Sequence, residues 1–160
     1  MSRSFDIRAW FAGRRSPGTP YEQAVAALER GAFREALERS DGALREATDD
    51  SARADAHNKR GVALIGLARR EDALAAFGDA LTCVENHAPA LVNVGNLLLE
   101  DGHLEDAVDY YQAAVRSDPG YPLAYRNLSV ACKRLGRRGE AVRYLRVADR
   151  LEARRPLGRA

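Results

Sequence analysis

The sequence predicts an all-α protein in which helix pairs stack into an α-solenoid. Composition is the first observation: alanine occurs 29 times among 160 residues, and arginine supplies 23 of the 25 basic side chains. Both are strong helix formers. The second observation is a pattern of small residues that recurs every 34 to 37 residues, and the third is a glycine or alanine between the halves of each repeat. A period of this length indicates stacked supersecondary units.

Each repeat is marked by small residues at fixed places. An acidic residue precedes an alanine at Ala36, Ala73, Ala107 and Ala141. Twelve places earlier stand Ala24, Gly61, Gly95 and Ser129, and four places later stand Ser40, Phe77, Tyr111 and Leu145. Antiparallel helices approach closely where bulk is missing, so the larger residues are expected to fill the gap. A glycine between the helices is expected to end the first helix in a left-handed cap, at Gly31, Gly102 and Gly136, and Ala68 holds the same place in the second unit.

The spacing resembles the tetratricopeptide repeat (TPR) family, whose 34-residue unit is helix A, a turn and helix B. The best match carries the signature residues Leu91, Val94, Gly95, Leu98, Gly102, Ala107, Tyr111, Ala114 and Pro119. The resemblance implies a TPR domain over residues 17–155, with units 17–50, 54–87, 88–121 and 122–155, an arm over 1–16 and a tail over 156–160. The first unit is the most degenerate, and Pro20 is expected at the start of its first helix.

Catalytic and metal-binding chemistry has little support in the sequence. His57, His87 and His103 share no spacing that places two of them on one helix face, and Cys83 and Cys132 are too few for a cysteine metal site. The glycines follow the repeat turns and form no phosphate-binding motif. We therefore predict that the chain is not an enzyme and takes no metal or cofactor.

The TPR resemblance implies a concave groove, lined by the A helices, that binds a segment of a partner protein. The residues at the family's groove places are Asn58, Lys59, Val62, Asn93, Asn96, Arg126, Asn127, Val130 and Lys133. Asparagine amides both donate and accept hydrogen bonds, so they suit a peptide backbone of any sequence, while Arg126 and Lys133 would attract carboxylates. In the alternative interpretation, Asn93 and Asn127 cap or bridge within their own repeats.

Charge is distributed unevenly along the chain, with +3 over residues 1–16, −9 over 17–121 and +8 over 122–160. In the basic arm, Ile7, Trp10 and Phe11 follow helical spacing and form one apolar stripe. Large aromatic side chains bury much area when packed. We expect the arm to dock on its own first repeat, on a partner subunit or on a lipid surface.

The basic C-terminal unit predicts a second surface. Arg143, Arg146 and Arg150 oppose the acidic body of the chain, so self-association or partner docking through this end is expected. The alternative is that the long arginine stems simply cap the last repeat.

The function predicted from these observations is a non-enzymatic scaffold or adaptor, as an assembly factor or a subunit of a larger complex. One alternative is a membrane-surface scaffold anchored by the arm. Another is nucleic-acid binding through the basic C-terminal unit, which is disfavoured because few aromatic residues are present there for stacking. The absence of a long apolar run and of a secretory leader predicts a cytoplasmic protein, and the arginine and alanine bias suggests a bacterial one.

Overall fold

The computed structural model describes residues 18–154, where eight α-helices follow one another without a strand. The helices are α1 (Pro20–Glu29), α2 (Phe33–Glu46), α3 (Asp50–Gly66), α4 (Arg70–Cys83), α5 (Ala88–Asp101), α6 (Leu104–Ser117), α7 (Pro122–Arg134) and α8 (Arg138–Arg154). Consecutive helices pack as the pairs α1–α2, α3–α4, α5–α6 and α7–α8, and each pair packs on the next. The all-α solenoid expected from the sequence is confirmed.

Left-handed residues end the first helix of each pair, at the three predicted glycines and also at Ala68. Gly31, Gly102 and Gly136 have φ angles of 70°, 86° and 76°, and Ala68 adopts 57° in the second pair. Positive φ costs an alanine more than a glycine because of its Cβ atom. The short turns that follow direct the second helix back along the first.

The helices of the inner pairs approach closely at a glycine. A Cβ atom placed on Gly61 would lie 2.4 Å from the ring of Phe77, and one on Gly95 would lie 2.6 Å from the ring of Tyr111. Both aromatic side chains are fully buried. The expected pairing of a small residue with a large one therefore holds in the two central units, and it fixes the distance between α3 and α4 and between α5 and α6.

In the two outer pairs, smaller side chains replace the contact between a glycine and an aromatic ring. Pro20 begins α1, as predicted, behind a capping box in which Thr19 and Glu22 bond each other's backbone amides. In this pair Ser40 takes the aromatic place, is buried, and donates a hydrogen bond to the carbonyl oxygen of Ala36 at 2.8 Å. In the last pair, Ser129 takes the glycine place and donates to the carbonyl oxygen of Ala141 at 2.7 Å.

Leu145 departs from the sequence expectation. It holds the place of Phe77 and Tyr111 in the repeat, yet 40% of its surface is exposed. The reason is topological, since Tyr111 is covered by α7 in the largest core cluster, whereas no described helix follows α8. Burial at this place therefore depends on the next repeat as well as on the residue.

The arm residues Ile7, Trp10 and Phe11 lie outside the described residues, so their docking stays a prediction. Within residues 18–154, no helix combines the length and apolar character needed to cross a bilayer.

We expect Gly95→Ala to destabilise the fold by about 1–3 kcal/mol, because the added methyl group overlaps the ring of Tyr111. The matched control is Gly78→Ala in the exposed middle of α4, where an added Cβ meets nothing within 4 Å. This control should gain about 0.5–1 kcal/mol from its higher helix propensity. Urea denaturation measures both changes, and a gain for both variants would contradict the close-approach interpretation.

We also expect a pH-dependent contribution to stability from His57. Its Nδ1 atom is buried, forms no hydrogen bond within residues 18–154, and lies 3.7 Å from Asp79 Oδ2. Burial lowers the pKa of His57, and the attraction of Asp79 offsets this only in part. An ordinary histidine has a pKa of about 6.5, so as pH falls below this value the unfolded chain binds more protons than the folded chain. The free energy of unfolding therefore decreases as pH falls through the two pKa values. The free energy of unfolding should depend less on pH between 7 and 5 in His57→Phe; equal slopes would contradict the assignment.

Candidate functional site

The candidate site is the surface shared by the first helices of the last three pairs. Helix α5 contacts α3 on one side and α7 on the other. Between α3 and α5 this surface opens into a cleft of about 110 Å³, which we call the groove. Its lining residues are Val62, Ile65, Phe77, Asn93, Asn96, Leu97 and Glu100.

Asparagine side chains link the neighbouring helices of this surface. Asn93 Nδ2 on α5 donates to Asn58 Oδ1 on α3 at 2.8 Å. Asn127 Nδ2 on α7 donates to Asn96 Oδ1 on α5 at 2.7 Å. Both bonds join different repeats, so Asn93 and Asn127 do not bridge within their own repeats as the alternative interpretation held.

Asn96 is held by a second hydrogen bond, from Tyr111. The hydroxyl of Tyr111 donates to Asn96 Oδ1 at 2.8 Å. Burial raises the pKa of Tyr111 far above its usual range, so this hydroxyl stays protonated and keeps its donor role. Because Oδ1 accepts two bonds, the Nδ2 atom of Asn96 must face the other way. Among residues 18–154 no group accepts a bond from this Nδ2, which is not buried.

Asn58 was predicted to line the groove, and this prediction is wrong. Its side chain is only 3% exposed and its Oδ1 is occupied by Asn93. The repeat register puts it on the expected helix, but the neighbouring α5 covers it. Asn58 therefore supports the groove from below instead of facing a ligand.

The basic residues of the predicted groove have separate environments. Lys59 is half-buried, with its ammonium 5.9 Å from the ring centre of Tyr21. Arg126 pairs with Glu152 at 2.6 Å and with Asp149 at 3.4 Å on α8, so its charge is compensated locally. Lys133 is exposed on α7.

The remaining predicted residues divide between the groove and the C-terminal end. Val62 lines the groove on α3, whereas Val130 is exposed on α7. Arg143, Arg146 and Arg150 are all exposed along α8.

Sequence reasoning missed the part played by Tyr111 and Glu100. The expectation that Tyr111 fills the gap between its helices is confirmed, but its hydroxyl also bonds Asn96, which lines the groove. The available signal was a tyrosine where the preceding repeat has Phe77, since a buried hydroxyl needs a partner. Glu100 lines the groove and pairs with Arg70 at 2.6 Å.

Comparison with known proteins agrees with this architecture. The family profile described as tetratricopeptide repeat matches residues 92–156. Residues 92–156 thus match this repeat family, and the described helices share the fold of solved TPR proteins. Proteins with this fold generally mediate protein–protein interactions, because stacked repeats create extended binding surfaces.

Three solved TPR structures illustrate the similarity of the fold. MamA superposes with a TM-score of 0.66 at 22% identity, over 92% of this chain and 86% of MamA. The Pseudomonas aeruginosa pilF product gives 0.73 at 25% identity, over 86% of this chain and 61% of that chain. YrrB, described as a TPR protein with an unusual peptide-binding site, gives 0.61 at 24% identity, over 85% and 69% of the two chains.

A curated relative matches only in part. It is the probable UDP-N-acetylglucosamine–peptide N-acetylglucosaminyltransferase SPINDLY of Hordeum vulgare, 31% identical over 87 residues, or 54% of this chain. The chain covers 9% of that protein's length. Because the match covers so small a share of that protein, it supports the relationship of the repeats only. No transferase activity is inferred for this chain from it.

Tyr111→Phe should lower the free energy of unfolding by about 1 kcal/mol, because it removes the bond to Asn96 while keeping the ring. The neighbouring Tyr110→Phe is the control, since the Tyr110 hydroxyl makes no hydrogen bond within residues 18–154. Its change should stay within about 0.5 kcal/mol. Equal losses in urea denaturation would show that the hydroxyl of Tyr111 has no special role.

Proposed function

We propose that this protein is a non-enzymatic scaffold that binds an extended segment of a partner protein across α3, α5 and α7. The observation that carries the proposal is the fixed amide of Asn96. Its oxygen accepts bonds from Tyr111 and Asn127, and its Nδ2 remains available beside the groove. A donor held in place before the ligand arrives costs little conformational entropy on binding.

The groove suits a peptide backbone better than a small polar molecule. Val62, Ile65 and Leu97 provide apolar walls for a side chain of the ligand. The Asn96 amide can donate to a backbone carbonyl oxygen, which every peptide offers regardless of sequence. The peptide-binding site described for YrrB, a protein of the same fold, supports this class of ligand.

The alternative of nucleic-acid binding gains no support from the aromatic residues of the basic unit. Tyr125 and Tyr144 are half-buried and pack against each other, with ring centres 6.5 Å apart. A base-stacking platform needs exposed ring faces. The membrane-surface alternative depends on Ile7, Trp10 and Phe11, which lie outside the described residues.

Asn96→Asp provides a sharp test of the groove. The carboxylate keeps an oxygen for Tyr111 and Asn127 to donate to, but the donor that faces the groove becomes an acceptor. Alanine at Asn93 would be less informative, because it leaves the buried Oδ1 of Asn58 without a partner, at a cost of about 1–3 kcal/mol. The control is Asn86→Asp, which places the same charge on an exposed residue outside the groove.

Binding partners would be captured with the full-length wild-type chain and compared by quantitative mass spectrometry with those of each variant. The dissociation constant of a captured partner segment would then be measured by fluorescence anisotropy. We expect Asn96→Asp to weaken binding about tenfold, equivalent to about 1.4 kcal/mol, with thermal stability nearly unchanged. Asn86→Asp should bind like the wild type. Undiminished binding by Asn96→Asp would refute the proposed role of the groove.

A further inference from the structure

The C-terminal end of the solenoid exposes apolar side chains beside a second cleft. This end cleft has a volume of about 320 Å³ and lies between α7 and α8. It is lined by Ser129, Lys133, Arg138, Ala141, Val142 and Leu145. Val142 is 48% exposed and Leu145 is 40% exposed.

The preceding repeat shows what covers this place in the solenoid. Tyr111, the equivalent of Leu145, is fully buried in a cluster that includes Ala124 and Leu128 of α7. Phe77, its equivalent one repeat earlier, is likewise buried. In both inner repeats the next amphipathic helix supplies part of the cover. The end cleft therefore has the form of an acceptor for one more helix.

The charges around the end cleft define the chemistry of that helix. Lys133 and Arg138 line the cleft, and Arg143, Arg146 and Arg150 continue along α8. None of these five side chains forms an ion pair with another residue of the described part of the chain. An acidic helix in the cleft would neutralise the charges of Lys133 and Arg138, which line it.

A second copy that docks symmetrically, cleft against cleft, is a poorer occupant. Two copies meeting through the same cleft would bring Lys133 and Arg138 of one copy against those of the other, and like charges at an interface repel. An acidic helix meets both the apolar residues and the positive rim without that repulsion.

We propose that the end cleft binds an acidic amphipathic helix of a partner protein, which packs on α7 and α8 as an additional first helix of the solenoid. Val142 and Leu145 contact its apolar face, and Lys133 and Arg138 pair with carboxylates along its edge. This site is separate from the groove and does not depend on the function proposed there.

A helical peptide based on one of the protein's own first helices would test the end cleft. The probe is a fluorescein-labelled peptide with the sequence of residues 88–101, in which glutamate replaces the two asparagines, because α5 already covers the preceding pair in the fold. A basic twin carries lysine at every acidic position. Fluorescence anisotropy with the full-length protein measures binding of each peptide at low and high salt.

We expect saturable binding of the acidic peptide, weakened at high salt, and at least about tenfold weaker binding of the basic twin. Val142→Asp and Arg138→Glu should each reduce binding at least about tenfold. Leu74→Asp is the matched control, because Leu74 holds the same repeat place as Val142 in the second unit and is 50% exposed. The Leu74→Asp variant should bind the acidic peptide as tightly as the wild type does. The thermal melts of both aspartate variants should coincide with that of the wild type.

Several results would overturn the proposal. No binding of the acidic peptide up to about 1 mM, or equal binding of the two peptides, would remove the acidic helix as the occupant. A dimer in sedimentation equilibrium that Val142→Asp dissociates would assign the cleft to a second copy. Loss of peptide binding in Asn96→Asp, with Val142→Asp unaffected, would place the peptide in the groove instead.

Discussion

The contact between a glycine on one helix and an aromatic ring on the next determines the geometry of this protein. At Gly95 the missing Cβ lets the ring of Tyr111 lie directly against α5. That proximity brings the Tyr111 hydroxyl within 2.8 Å of Asn96 Oδ1, and the bond fixes the amide oxygen of Asn96, which lines the groove. Packing inside one helix pair thus orients a polar group on the surface shared by three pairs.

Most of the fold follows from the spacing of small residues, because few physical requirements select glycine or alanine at a fixed interval. Close helix approach explains Gly61 and Gly95, and a left-handed turn explains Gly31 and Gly102. The start of α1 at Pro20 was likewise predictable from proline's fixed φ angle and its missing amide hydrogen.

The side-chain details of the site could not be derived in the same way. The repeat register places Asn58 on the correct helix, but its burial depends on how closely α5 packs against α3. The bond from Asn93 crosses 35 residues of sequence, and its formation depends on the angle between repeats. The exposure of Leu145 also depends on neighbouring helices. Its place in the repeat predicts burial, but that burial requires a following helix.

The two proposed surfaces differ in electrostatics although both use α7. In the first half of α7, Asn127 bonds a neighbouring amide of α5, and the charge of Arg126 is compensated by Glu152 and Asp149 of α8. On the end side, the positive charge of Lys133 and Arg138 remains without a partner among residues 18–154. In the groove the charge of Glu100 is paired with Arg70, so fixed hydrogen bonds favour the ligand there, whereas the basic end selects for acidic ligands.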